Sequence, residues 1–556
     1  MSLTFQSRAA SVGLALVLAA GCTGSVLEAD SGQSPRTPSP AVPSDPFDPT
    51  SPTVVPPPTQ AVPLPSGSCG APAPATLLTR EQYINAVSDL VGLDVRPFVV
   101  FKDASGRKPR PGATLSPLQA EGYLQTAVAI ADQATSPANL GKLLPCDPAA
   151  DEAGCADKFI EKFASRALRR PLRDDFRADL REVYQQGRSA GGFATGIKWV
   201  IDGVLQTPDF LYHLVLPAAG GKPGDVVSLN DFEIADRLAG FLWNSAPDEE
   251  LWRAAAQGQL NTAAQIEVQV SRMRASPRAQ RTRADFYRGW LNLDLLAAVL
   301  REDPAFTPAL AQSLEKSILA GIDDLYGPGG DGKAQTLFSS PAVVTDDVIT
   351  RLYGAGAGGA AQRRGLLTHP ALMTILAETN GSDPIRRGLF VFKKLLCQDV
   401  PEPPDGVPDL PPLQSNLTTR QRLVAHRDAP QCRACHAAFE PMGLAFENFD
   451  HLGRFRTQEN GIKVDSSAEI NDAGLDLQGS YPDGFAFLDK VASSSAARNC
   501  IAQQWYEYGV SRDVAEADKC ALASIKSGFV ASGDLNQLMA SIALGDTFRN
   551  RLVTQE

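Results

Sequence analysis

Residues 31–66 contain 12 prolines set among Ser, Thr and Ala, with almost no large apolar side chains. A stretch of that composition cannot bury a core and stays extended and disordered. Whatever folds in this 556-residue chain must therefore begin after it. From Leu77 onward the apolar residues recur at helical spacing. Thr79 with Gln82 makes a capping box, Tyr83, Ile84, Val87, Leu90 and Val91 share a face, and Gly92 ends the segment. The run 156–168 places Phe159, Ile160, Phe163, Ala167 and Leu168 on one side before Arg169-Arg170-Pro171 breaks it. Further helices are predicted over 196–205 and, as a pair around Ser245-Ala246-Pro247, over 230–243 and 248–255. Strand-like alternation is sparse, so the expected fold class is mainly α, a multi-helical array after a disordered Pro-rich tether.

Gly and Pro concentrate again at 327–332, 354–359 and 400–412. These breaks divide the chain into a leader (1–21), the tether (22–75), an N-terminal helical region (76–215), a central helical domain (225–355), a domain at 360–460 and a C-terminal helical domain (461–556). With 43% hydrophobic residues the chain has material for several cores, and a formal charge of −11 argues against a phosphate-backbone partner, so no nucleic acid is expected.

The leader has Arg8 ahead of an apolar run from about Ala9 to Ala20, too short to span a bilayer in the mature protein and laid out as an export signal. Ala19-Ala20-Gly21 directly before Cys22 resembles a bacterial lipoprotein box, which implies cleavage before Cys22 and lipidation of its thiol. An ordinary secretory signal with an incidental Cys22 is the alternative. Thr23 stands where inner-membrane lipoproteins commonly carry Asp, so the resemblance implies an outer-membrane lipoprotein facing periplasm or cell surface, held by lipid alone. As polyproline, the tether would reach on the order of 100 Å.

Export places the thiols in an oxidising compartment. Apart from Cys22, Cys432 and Cys435, six cysteines remain, an even number. Cys146 and Cys155 flank a short polar loop and Cys500 and Cys520 a helix and turn, which makes these the expected disulfides; Cys69 with Cys397 follows by elimination.

Residues 432–436 read Cys-Arg-Ala-Cys-His. Thiols at i and i+3 lie one helical turn apart, as thioether formation to two haem vinyl groups requires, and the next residue offers an imidazole to iron. Zinc would want a second paired ligand site, and the remaining cysteines form no second CxxC; a thioredoxin-like pair would want a βαβ setting. One covalent haem c is the expected cofactor, with Cys432, Cys435 and His436 holding it. The sixth iron ligand would come from His213, His369, His426, His451, Met273, Met373, Met442 or Met539, with His426 and Met373 favoured. Arg454 and Arg456 would pair with haem propionates or form ordinary salt bridges, and backbone near Glu440-Pro441 would accept the His436 Nδ1 proton. Glu447 and Asp450 are expected in structural hydrogen bonds rather than proton transfer.

Several stretches together resemble the exported multi-domain proteins of planctomycetes and myxobacteria that are built from successive domains of unknown function and associated with planctomycete-type cytochrome c modules. They are LTREQYINAVSDLVG (78–92), FASRALRRPL (163–172), SLNDFEIADRLAGFLWNSAPDEEL (228–251), GLLTHPALM (365–373), SDPIRRG (382–388), HRDAPQCRACHAAFEPMGLAFENFDHLGRFR (426–456) and the region from about Val464 to Arg551. Two departures from that pattern are Glu440-Pro441-Met442-Gly443 and Gly509-Val510-Ser511-Arg512, and neither removes a haem attachment atom. The resemblance implies a helical, exported haem-type protein and assigns neither a reaction nor a distal ligand. Two functions compete. One is an extracytoplasmic haem protein carrying electrons or catalysing a redox reaction, with a redox protein or small molecule as partner. The other is a non-catalytic tethered lipoprotein that binds a surface partner or polysaccharide and uses CxxCH as a structural disulfide. No GxSxG, HExxH or phosphate-loop motif supports a hydrolase.

Overall fold

The computed structural model describes residues 63–65, 67–102, 111–216, 221–341, 343–401, 414–427, 430–471 and 475–554, with backbone alone for 425–427 and 430–435. The leader, Cys22 and the tether up to residue 62 lie outside these residues. Local signals set the first helices as expected. Thr79 and Gln82 close a capping box on Arg80–Val91, which ends at Gly92 in the left-handed conformation. Glu152–Leu168 ends at Arg169, also left-handed at φ 60°. With Pro117–Ala134, Asp174–Gly191 and Phe193–Leu205 these helices enclose one hydrophobic core. At its centre Tyr83 is fully buried and its ring meets those of Phe101, Tyr123 and Phe210 at 5.1–5.6 Å. Each large side chain buried in this way contributes roughly 1.5–3 kcal/mol.

A second core runs from Leu229 to Phe548, so the segments 225–355, 360–460 and 461–556 share one interior. Asp231–Trp243, capped by Asn230, and Glu249–Ala256, capped by Asp248, form the helix pair read from the sequence. Trp505 of Ser495–Val510 stacks on Phe286 of Ala279–Leu291 with centroids 3.8 Å apart, joining the C-terminal helices to the central ones. The seam between the two cores is polar. Asn85 donates to the Asn244 carbonyl at 3.0 Å, Asp89 takes Arg281 at 2.8 Å, and His213 Nδ1 meets Asp236 Oδ2 at 2.9 Å.

Strands among the described residues pair only two at a time, all antiparallel: Thr76–Leu77 with Tyr212–His213, Val226–Ser228 with Asn550–Leu552, Gln458–Glu459 with Ile462–Lys463, and Ala468–Ile470 with Gly479–Tyr481. Among them, too, no helix is long and apolar enough to cross a membrane.

The tether ends earlier than its composition indicates. Pro63 bridges Val227, the Leu64 amide donates to the Val226 carbonyl at 2.9 Å, and Leu552 N–H donates to the Ala71 carbonyl at 3.1 Å. The chain thus uses the exposed edges of the Val226–Ser228 and Asn550–Leu552 pair as templates. Gly70 is needed there, because a Cβ would collide with the Val226 side chain.

Disulfides fix the same arm. Cys146–Cys155 forms as expected, but Cys500 pairs with Cys397 and Cys520 with Cys69, correcting both the Cys500–Cys520 and the Cys69–Cys397 assignments. Nearness in sequence misled here because the two cysteines sit on different helices. Cys500 is buried in Ser495–Val510, beside the π-helical turn Val391–Leu395, whereas Cys520 lies in the first turn of Lys519–Ser532, where the N-terminal arm arrives.

Candidate functional site

Cys432, Cys435 and His436 lie on one helix, Pro430–Leu444, which continues through Pro441. The i, i+3, i+4 spacing puts all three positions on one face. The side chains of Cys432, Cys435 and His426 lie outside the described residues. His436 is partly exposed, and its Nδ1 lies 2.8 Å from Oε2 of Glu440, which is buried. The acceptor is therefore the Glu440 carboxylate one turn along the helix, not the backbone expected near it. The i, i+4 spacing within a helix was the available signal.

This helix is docked by close backbone approach. A Cβ on Gly443 would fall on the Pro384 carbonyl oxygen, and one on Gly388 on the Phe439 carbonyl, so Pro384–Phe390 lies directly against Pro430–Leu444. Asp383 caps the shorter helix and Pro384 occupies its first turn. The segment SDPIRRG thus supplies a cap, a start, a buried cation and a contact glycine in seven residues.

The turn that follows the CxxCH helix is held by its carbonyl oxygens. Arg387, fully buried, donates from Nη1 to Phe446 O and Phe449 O, both at 2.8 Å, and from Nη2 to Asp450 O at 2.9 Å. Tyr353 OH donates to Leu452 O at 2.7 Å, and Arg363 Nη2 to Gly453 O at 2.6 Å. Arg363 also reaches Ala357 O and Thr368 O, and its guanidinium lies over the Tyr353 and Phe449 rings. Burial lowers the pKa of both arginines, that of Arg363 to about 10, so that Arg363 stays charged at neutral pH. From inside the turn, Asp450 Oδ1 accepts the Leu452 and Arg454 amides, each at 2.9 Å. Buried Glu447 accepts from Ser382 at 2.8 Å and lies 3.4 Å from Arg387; burial raises its pKa, while Arg387 and Arg456 pull it down. Glu447 and Asp450 are structural, as their positions suggested.

Arg454 and Arg456 form salt bridges in the structure. Arg454 pairs with Asp450 at 2.6 Å and Asp303 at 2.7 Å, and Arg456 with Glu459 at 3.1 Å and Glu447 at 3.2 Å. Among the other ligand candidates, Met273, Met373, Met442 and Met539 are core residues. Met373 packs beside Gly453, whose added Cβ would lie 3.0 Å from the Met373 Cβ. His369 caps Pro370–Ile375 through Nδ1, and its Nε2 lies 3.2 Å from Ser317 Oγ. His451 Nε2 lies 3.7 Å from Asp303, and His213 is engaged at the seam.

Sequence reasoning missed the Glu440 side chain, Arg387, Arg363 and the Gly388–Gly443 contact. Arginines and glycines that serve backbone carry no periodic signal, although four of these positions fall inside stretches singled out for their resemblance.

Four family models match the chain: PSD3, protein of unknown function DUF1587, over 77–136; PSD5 (DUF1595) over 155–214; PSD4 (DUF1592) over 229–355; and PSCyt3 (DUF1588) over 363–459. Together they cover more than half of its length. The first two coincide with the N-terminal core, and the last contains the CxxCH helix with both of its arginine anchors. No curated protein and no solved structure was found to match. The order and extent of these four domains show that the chain belongs to the planctomycete cytochrome-associated PSD/PSCyt family, whose domains have no assigned function.

Proposed function

We propose that the protein is a membrane-anchored, extracytoplasmic c-type haem protein with an electron-transfer or redox-enzyme role. In this reading Cys432 and Cys435 form thioethers to a single haem, and His436 ligates iron through Nε2. The observation that carries it is the 2.8 Å contact between His436 Nδ1 and the buried Glu440 carboxylate. A ligating histidine characteristically gives its other ring proton to a carboxylate, which fixes the tautomer, holds the ring plane and raises the basicity of the ligating nitrogen. The donor set fits haem c: two thiols one helical turn apart and an adjacent, oriented imidazole.

When bound, haem supplies one-electron chemistry. The chain's own residues set the frame for it. Gly388 and Gly443 hold the helix against its neighbour, Arg387 and Arg363 fix the turn behind it, and Glu440 keeps the proton on Nδ1. His426 and Met373 are the residues proposed as candidates for a further iron ligand. Cys22 carries the lipid in this reading, and outer-membrane anchoring places the body near an extracytoplasmic redox partner.

The test uses full-length protein co-expressed with a haem-attachment system. Glu440→Gln should keep covalent haem and raise the midpoint potential, because a less basic imidazole stabilises the ferric state less. An unchanged potential and spectrum in Glu440→Gln would contradict the assigned role of the pair. Cys22→Ser should move the protein from membrane to soluble fraction, and retention in the membrane would contradict lipidation.

A further inference from the structure

Three disulfides form among the described residues, and one differs from the others in exposure. Cys155 and Cys500 are each 2% exposed, so Cys146–Cys155 and Cys397–Cys500 each keep one cysteine inside. In Cys69–Cys520 neither residue is buried: Cys520 is exposed in the first turn of Lys519–Ser532, and Cys69 is half-buried on the N-terminal arm. A reducing thiolate must reach a sulfur, so exposed disulfides are the labile ones.

The arm has little else to hold it. Of the described side chains of 63–75 only Ala71 is buried, and none belongs to either hydrophobic core. The body holds the arm through hydrogen bonds: Leu64 N–H to Val226 O, Leu552 N–H to Ala71 O, Gly112 N–H to Ala75 O at 2.8 Å, and Asn550 Nδ2 to Cys69 O and Arg512 Nε to Pro72 O, both at 3.3 Å. Each is weak on balance, because water replaces it on release. With the disulfide closed the arm is fixed at Cys69 and again at Thr76–Leu77, where pairing with Tyr212–His213 begins. With it open, one covalent hold is gone and the arm can peel from its free end. What it covers is polar. Pro72, Ala73 and Pro74 line one side of a cavity whose opposite wall carries His213, Asp236 and Arg237. Under the arm that cavity is about 60 Å³, room for water but far below the ~300–1,000 Å³ of small-molecule sites.

We infer that Cys69–Cys520 is a redox latch, whose reduction frees the 63–75 arm and opens the cleft at His213. The reductant is a dithiol, in the protein's surroundings an exported protein with a reduced pair of cysteines, and it supplies two electrons and two protons. One of its thiolates attacks Sγ of exposed Cys520, the bond to Cys69 breaks, and Cys69 leaves as a thiolate that takes up a proton. The reductant's second thiol then displaces Cys520 from the mixed disulfide, so the reductant ends as a disulfide and Cys69 and Cys520 as thiols. Because Cys69 leaves first, the arm is freed at the first step. The inference is independent of haem, since none of these residues belongs to the CxxCH helix or its anchors.

Titration of the full chain with reduced dithiothreitol tests it in two stages. Thiol trapping with peptide mass mapping should find Cys69 and Cys520 free at a reductant concentration about tenfold or more below that which frees Cys146, Cys155, Cys397 or Cys500. In protein reduced to that point, hydrogen exchange at the Leu64 and Leu552 amides should quicken about tenfold or more, while the Tyr83 amide in the N-terminal core stays as slow as before. Modification of His213 by diethyl pyrocarbonate should quicken with it. Cys69→Ser/Cys520→Ser should show the fast rates without reductant and no further change on adding it. Earlier opening of another disulfide would overturn the assignment. So would an arm and a His213 whose rates stay unchanged once Cys69 and Cys520 are free, a result the wild-type titration yields even if the double variant does not fold.

Discussion

Two polar regions of this molecule solve the same problem differently. At the seam, Asp236 is shared between His213 and Arg169, and Asp89 meets Arg281, so ion pairs join the two sides beside the carbonyl contacts of Asn85 and Arg169. Behind the CxxCH helix, Arg387 and Arg363 are spent mainly on main-chain carbonyls, and two glycines let backbones touch. A carbonyl cannot titrate or be exchanged by mutation, so the second arrangement fixes the path of a chain, whereas the first joins the two cores. The proposed presentation of Cys432, Cys435 and His436 in register calls for the carbonyl-clamped arrangement.

Breaking the carbonyl clamp should have the largest effect. Arg387→Leu removes the donor for three carbonyls and leaves Glu447 with less compensation in a buried site, so a loss of about 3–5 kcal/mol is expected in urea unfolding. Gly443→Ala forces the two helices apart and should cost about 1–3 kcal/mol. If either substitution proved neutral, the helix would not depend on this docking.

Acid titration separates the two regions. His369, which caps a helix in the carbonyl-clamped half, is buried and has its pKa lowered to about 3. It stays neutral in the folded protein while the unfolded chain takes up a proton below about pH 6.5. Its contribution is therefore complete above that pH and is lost progressively as pH falls toward 3. Asp236 behaves as a depressed acid. Burial alone would raise its pKa, but His213 and Arg169 together hold it at about 2. The stability it confers is present above about pH 4 and is lost between there and pH 2. His369→Asn, which preserves a capping side chain, should flatten the upper limb of a melting temperature against pH curve, and Asp236→Asn the lower. Exchanged assignments would contradict the contrast. The smallest effect should come from Asn85→Ala, which deletes one seam hydrogen bond and should cost about 1 kcal/mol.

Much of the helical body was legible because caps and stripes are local: Thr79, Asn230, Asp248 and the face from Tyr83 to Val91 stand where the pattern put them. The disulfides were legible only where the loop was short enough for Cys146 and Cys155 to meet without the fold. Cys397–Cys500 and Cys69–Cys520 close separations of 103 and 451 residues and depend on tertiary packing. The arm at 63–75 was read as tether because its composition is proline-rich, while its order comes from a partner edge at the far end of the chain. At the candidate site the histidine proposed as ligand was visible in the motif. The carboxylate that orients it was one side chain away from the backbone expected to do so.

The most direct test of the central proposal is intact-mass analysis, with haem staining after denaturing electrophoresis, of wild type and the Cys432→Ser/Cys435→Ser variant matured with the cytochrome c machinery. A single haem that stays covalently attached in the wild type and is absent in the double variant is the predicted result. A wild-type mass with no added haem would contradict it and leave the chain a tethered binding protein.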